Sequence, residues 1–146
     1  MSKVSKTQTE KRRPAAVLAS IRRPHSKNIL DGCKELEIRI TVPRGIEYPY
    51  TVHIYEPLAD GGAGAVIGEF TCEGHVGQKG GCLYDMARRA GLTEEQLEKY
   101  AAGRMVYGWI VAYPRRYAKP EPLAVYGLKH APQSWAYVYR EGGDDE

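Results

Sequence analysis

Cysteine is scarce in this chain. Only three cysteines occur among 146 residues. Cys33, Cys72 and Cys82 form no CxxC pair, and none stands at zinc-finger spacing from a histidine. We therefore expect free thiols in a reducing compartment, the cytoplasm, and neither a metal site nor another cofactor.

Long apolar runs and phosphate-loop glycine patterns are also absent. No apolar stretch approaches the roughly 18 residues that indicate a membrane-spanning helix. The first residues lack the apolar core of a secretory signal. The glycine-rich stretch 61–64 lacks the frame of a phosphate-binding loop. We expect a single domain of ordinary size with no membrane partner.

Charge, by contrast, is unevenly distributed. The net charge is +3, yet the first thirteen residues are rich in lysine and arginine and the chain ends Asp144-Asp145-Glu146. We predict a basic disordered arm over 1–13, a folded domain over 14–140 and an acidic tail over 141–146. The arm is either a salt-dependent contact to a phosphate backbone or a solubilising segment.

Hydrophobic periodicity predicts an α+β fold. Thr93 and Gln96 have the spacing of a capping box, which opens a helix ending before Gly103. Glycines over 74–81 and prolines over 114–122 predict loops. The remaining pattern predicts strands at 15–21, 34–41, 50–55, 66–72, 105–113 and 134–139, and helices at 24–30 and 82–90.

A pattern of charged residues, G-x-K-x-x-E-x-R, begins at Gly32. Apolar and polar residues alternate after it, so Glu37 and Arg39 share one face of a strand and Lys34 lies at its start. An acid between two cations suits a small polar ligand or a piece of nucleic acid. The alternative is a solvated charge pair on an ordinary outer face.

This pattern resembles the signature of the ASCH family, which has a PUA-like mixed β-barrel fold. The resemblance covers roughly residues 15–140 and is closest to small stand-alone proteins of bacteria and phages. It rests, beyond the signature, on the ordered segments AVLASI, KNILDG, AVIGEF, LTEEQLEKY, YGW, KPEPL and APQSWAYV. It implies one helix before the signature strand and a helical excursion in the middle of the chain.

The resemblance also implies a function. It implies that Lys34 and Arg39 contact a phosphate or base edge, while Glu37 accepts from an exocyclic amine or orients the cations. The partner would be RNA or a nucleotide, with a role in RNA processing or transcription regulation. Separately, we expect the protein to be a monomer.

Further candidates lie outside the signature. The resemblance places Gln133, Ser134 and Trp135 near the cleft, where Trp135 would stack on a base and Gln133 would read its edge. Core packing is the alternative for Trp135. Arg115 and Arg116, among tyrosines, suit nucleic-acid backbone contact, or form a solvated loop.

A hydrolase is the second function that the resemblance allows. Some small ASCH proteins are amidohydrolases that remove an acyl group from the exocyclic amine of an N4-acylated cytidine. Lys34 matches their lysine, but Glu37 stands where they have a threonine. In this reading Lys34 and Glu37 are catalytic, with Glu69 in reserve to activate a water. A ribonuclease is a third possibility, which no histidine pair supports.

Overall fold

The computed structural model describes residues 13–139, which form an α+β domain. The predicted arm and acidic tail lie outside these residues, except for Arg13. The strands are β1 (Pro14–Ser20), β2 (Leu36–Arg39), β3 (Tyr50–Glu56), β4 (Ala65–Lys79), β5 (Met105–Glu121) and β6 (Trp135–Tyr139), and the helices are α1 (His25–Leu30), α2 (Tyr84–Arg89) and α3 (Glu94–Ala101). Short 3₁₀ turns occupy Ala59–Gly61 and Leu123–Tyr126.

The six strands form one mixed sheet in the order β2-β5-β4-β3-β1-β6. Only β1 and β3 run parallel, and the other neighbours are antiparallel. One apolar core, around Phe70 and Trp109, packs between the sheet and α1. A second core packs α2 and α3 against Leu36 and Ile38 of β2. Gly108 of β5 lacks a Cβ where Leu36 approaches most closely.

Helix boundaries follow the local signals. Thr93 accepts from the Gln96 amide, and the Gln96 side chain accepts from the Thr93 amide, so the predicted capping box is confirmed. Pro24 precedes α1, and Gly32 follows it in the left-handed region at φ +80°. The helix before the signature strand and the two helices in the middle of the chain are likewise confirmed.

The two predicted loops are wrong. Residues 74–79 continue β4, and the segment from Pro114 to Glu121 continues β5. The end of β4 pairs with the start of β5, where Lys79 lies opposite Met105. The end of β5 pairs with the start of β4, where Glu121 lies opposite Val66. Ladder hydrogen bonds between two long strands therefore outweigh the glycine and proline signals, and register shifts absorb the misfit.

The sheet curls but does not close. β2 and β6 are its edges, and no ladder joins them in the part of the chain that the structure describes. The α+β fold is confirmed, while the term barrel applies only loosely. Within residues 13–139, no helix is long and apolar enough to cross a membrane.

Candidate functional site

The three charged residues of the signature are buried. Lys34 precedes β2, and Glu37 and Arg39 lie on the face of β2 opposite Leu36 and Ile38. Their side chains are 3%, 8% and 10% exposed, respectively. The alternative of a solvated charge pair is therefore wrong, because both faces of this strand are covered.

Glu37 lies between the two cations. Its Oε1 is 3.1 Å from Lys34 Nζ, and its Oε2 accepts a hydrogen bond of 3.0 Å from Arg39 Nε. The Lys34 contact is an ion pair without hydrogen-bond alignment. Among the described residues, Glu37 Oε1 is the one buried side-chain polar atom that no aligned donor satisfies.

Arg39 also connects the two edges of the open sheet. Its Nη2 donates to the Ser20 carbonyl at 2.7 Å, at the end of β1. Its Nη1 donates to Ser134 Oγ at 3.0 Å and lies 3.3 Å from the Ser134 carbonyl, just before β6. The guanidinium thus joins β2 to the β1–β6 edge, where no backbone ladder does so.

The charges fix the protonation state of Glu37. Burial alone would raise the pKa of this carboxyl, but the Lys34 and Arg39 cations outweigh burial and hold the pKa below its usual value. Glu37 is therefore ionised at neutral pH. Such a carboxylate orients its neighbours well and is a weak proton acceptor.

His25 belongs to the same network and was missed from the sequence. Its Nδ1 is 3.2 Å from Lys34 Nζ. Burial first, and then the Lys34 charge, lower the pKa of His25, so the ring is neutral at pH 7. Nine positions separate the two residues, and only the turn from α1 into β2 brings them together.

These residues line a cleft of about 270 Å³. Leu92 forms one wall with Gln96 and Tyr100 of α3. Ser20, the last residue of β1, forms the other wall with Ile21 and Arg22. The helical excursion therefore contributes three of the eleven residues that line the cleft. No local signal marks Tyr100 as a site residue, because its position depends on the packing of α3 against β2.

Of the predicted patch near β6, only Ser134 contacts the network, through Arg39. Trp135 donates to Thr41 Oγ1 at 2.9 Å and packs edge-on against Trp109, with ring centroids 6.1 Å apart. Gln133 is exposed. Neither Gln133 nor Trp135 lines the cleft, so the structure does not bring them together with Lys34.

Glu69, Arg115 and Arg116 lie elsewhere. Glu69 accepts from Tyr117 Oη at 2.7 Å and pairs with Arg115 at 3.2 Å, while His53 Nδ1 is 2.7 Å from the same phenol. We name His53, Glu69, Arg115 and Tyr117 the β5 cluster. Arg116 pairs with Asp31, at the end of α1, at 2.7 Å. None of these residues lines the cleft.

The cleft can therefore bind and orient a polar ligand. Its buried charges are two cations and one carboxylate, which leaves one positive charge uncompensated. In the part of the chain that the structure describes, no group of histidine, cysteine and carboxylate side chains could hold a metal ion.

Comparison with known proteins identifies the fold. The structure is similar to that of the ASCH protein of Zymomonas mobilis, with a TM-score of 0.73 and 21% identity over 87% of this chain and 89% of that chain. A tyrosine-to-phenylalanine variant of that protein matches at 0.72, with 20% identity over 87% and 91% of the two chains. A serine-to-alanine variant matches at 0.74, with 20% identity over 89% and 92%.

No family model and no curated protein matches the sequence. The structural likeness extends over nearly the whole of both chains, and the resemblance seen in the sequence is confirmed at the level of fold. The described residues share the fold of that ASCH protein.

Proposed function

We propose that this ASCH-type domain binds RNA and that the cleft holds one nucleotide of it. The observation that carries the proposal is the burial of Lys34, Glu37 and Arg39 around one small cleft with a surplus positive charge. Buried charges cost free energy unless they are paired. A surplus cation beside an open cleft therefore favours an anionic ligand.

The shape of the cleft supports a single nucleotide. Pockets for small ligands measure about 300–1,000 Å³, and the cleft, at about 270 Å³, lies just below that range. Tyr100 supplies an aromatic ring at the wall and is partly exposed. Single-stranded RNA is recognised through unstacked bases that pack on such rings.

Arg115 and Arg116 are proposed as peripheral contacts to the RNA backbone. Their side chains are 65% and 49% exposed, respectively, so their ion pairs with Glu69 and Asp31 are accessible to salt and to phosphate. Such contacts give affinity that falls with salt and does not depend on sequence. A role in regulation would follow from RNA binding and forms part of the same proposal.

The amidohydrolase is less well supported by this geometry. Glu37 would have to activate a water, yet its pKa is lowered and its Oε1 is enclosed. Lys34 is held between His25 and Glu37. The residues that would catalyse the reaction are thus arranged to stay charged and fixed.

Binding to fluorescein-labelled RNA tests the proposal. Fluorescence anisotropy would compare single-stranded and duplex RNA over a salt series, and the same samples would be assayed for release of acyl groups from N4-acylated cytidine. Lys34→Gln removes the buried cation. Lys79→Gln, the same substitution at an exposed lysine at the end of β4, is the matched control.

We expect single-stranded RNA to bind without turnover, and Lys34→Gln to weaken binding about tenfold or more. Lys79→Gln should change affinity less than twofold. Circular dichroism would establish that both variants are folded. Acyl release that is lost only in Lys34→Gln would replace the proposal with the amidohydrolase, and equal RNA affinity in both variants would refute it.

A further inference from the structure

We call His25, Lys34 and Glu37 the floor of the cleft, and this floor presents hydrogen-bond donors to a ligand. A lysine ammonium carries three N–H groups and no acceptor. Lys34 Nζ lies 3.2 Å from His25 Nδ1, and it lies 3.1 Å from Glu37 Oε1 in an ion pair without hydrogen-bond alignment. Two neighbours for three N–H groups leave at least one N–H for another partner.

The contact between Lys34 Nζ and His25 Nδ1 determines the tautomer of His25. Because the ammonium can only donate, His25 Nδ1 must accept, and the proton of the neutral ring resides on Nε2. His25 lines the cleft beside Lys34. Its Nε2–H is therefore a second donor, which the Lys34 contact does not use.

The carboxylate oxygens of the floor, by contrast, are not accessible as acceptors for a ligand. Glu37 Oε2 is bonded to Arg39 Nε, and Glu37 Oε1 is completely enclosed. Of the two roles predicted for Glu37, this geometry favours orientation of the cations over acceptance from an exocyclic amine. A ligand group at the floor must supply acceptor oxygens or ring nitrogens of its own.

Charge selects among such groups. The charges that act on His25 come from Lys34, Glu37, Arg22 and Arg39, and only Glu37 is negative. Arg22 is exposed and paired with Asp60, so its charge is largely screened. The surplus at the floor is one positive charge, which an anionic oxygen group offsets and a neutral base edge does not.

We infer that the floor is a phosphate subsite in which His25 Nε2 and Lys34 Nζ donate to phosphate oxygens, with the nucleoside directed towards Tyr100. The inference rests on the proposed nucleotide-binding function and assigns the orientation of the ligand. It makes His25 a binding residue.

Titration calorimetry with small ligands tests this orientation. The four ribonucleosides would be compared with their 5′-monophosphates, their 3′-monophosphates and inorganic phosphate. A dinucleoside monophosphate would distinguish an internal phosphodiester from a terminal phosphate. We expect at least one monophosphate or the diester to bind about tenfold more tightly than its nucleoside, and inorganic phosphate to compete with it.

Substitution of His25 supplies the second measurement. His25→Leu should reduce the preference for nucleotide over nucleoside about tenfold, because one donor to the phosphate is lost. His25→Gln places an amide N–H near the position of Nε2 and should restore part of the preference. His130→Leu, at an exposed histidine outside the cleft, should leave the preference unchanged.

The outcomes separate the two proposals. If nucleosides bind as tightly as nucleotides while RNA still binds through Lys34, the phosphate subsite is refuted and the proposed function stands. If neither RNA nor any of these ligands binds, both are refuted. A preference that persists unchanged in folded His25→Leu and His25→Gln would also overturn the role of His25.

Discussion

The cleft and the β5 cluster share glutamate, arginine and histidine but differ in burial. Each contains a glutamate paired with an arginine, and a histidine that contacts a neighbouring side chain of the same network. In the cleft, the Lys34, Glu37 and Arg39 side chains are at most 10% exposed. In the β5 cluster, Arg115 is 65% exposed and Glu69 22% exposed. Burial, together with the second cation Lys34, distinguishes the candidate ligand site from a surface charge network.

One strand passes both regions. Glu37 lies opposite Trp109 in the first part of β5, and Glu69 lies opposite Arg115 in its second part. Between them Tyr113 adopts φ +51°, where the register with β4 shifts. This bulge redirects the strand, so the basic residues after it extend along the outer surface and away from the cleft.

The largest expected difference between the two regions concerns their carboxylates. Glu37→Gln leaves two buried cations without a counter-charge and should lower the free energy of unfolding by about 3–5 kcal/mol. Glu69→Gln, the matched change in the β5 cluster, should cost about 1 kcal/mol or less. Urea denaturation of both variants would measure the contrast, and equal losses would contradict it.

The second largest difference in unfolding free energy is expected between substitutions of Arg39 and of Arg115. Arg39→Lys keeps the charge but loses the fork that reaches Ser20 and Ser134, so we expect a loss of about 2 kcal/mol in unfolding free energy. Arg115→Lys should stay within about 0.5 kcal/mol of the parent protein. Urea denaturation would measure both losses. An Arg39→Lys variant as stable as the parent protein would mean that the sheet edges do not depend on the contacts of Arg39 with Ser20 and Ser134.

Acid should reduce the stability that Glu37 contributes to the folded protein. The pKa of Glu37 is lowered in the folded protein, so its stabilisation is complete above the unfolded pKa of about 4.3 and is lost as pH falls through the lower folded value. The stability difference between the parent protein and Glu37→Gln should be constant from pH 7 to 5. It should shrink below about pH 4, and a constant difference down to pH 3 would contradict the ionised state.

The smallest expected effect is at the bulge between the regions. Tyr113 is 76% exposed and holds a left-handed conformation that a side chain disfavours. Tyr113→Gly should raise the free energy of unfolding by about 1 kcal/mol. Tyr113→Ala keeps the Cβ and serves as the control. If glycine is no more stable than alanine in thermal denaturation, the conformation carries no strain.

Much of the fold could be predicted from local signals. The capping box at Thr93, and Pro24 and Gly32 around α1, indicate helix ends because their backbone preferences act within a few residues. The second halves of β4 and β5 could not be predicted, because their glycines and prolines locally favour turns. Pairing between the two long strands decides their conformation, and pairing is not visible in either segment alone.

The site was predictable only in part, for a similar reason. Alternation after Gly32 places Glu37 and Arg39 on one face, and a polar face is normally exposed. Their burial results from elements distant in sequence. His25 joins through α1 and Tyr100 through α3, and neither residue has a neighbouring motif that indicates a ligand.

The most direct test of the central claim maps RNA binding onto the two regions. Amide ¹H–¹⁵N spectra of the protein would be recorded during titration with a short single-stranded RNA at moderate salt. We predict saturating shifts at the cleft residues His25, Lys34 and Tyr100, with weaker, salt-sensitive shifts around Arg115. Shifts confined to the β5 cluster, with an unperturbed cleft, would contradict the claim that the cleft binds the nucleotide.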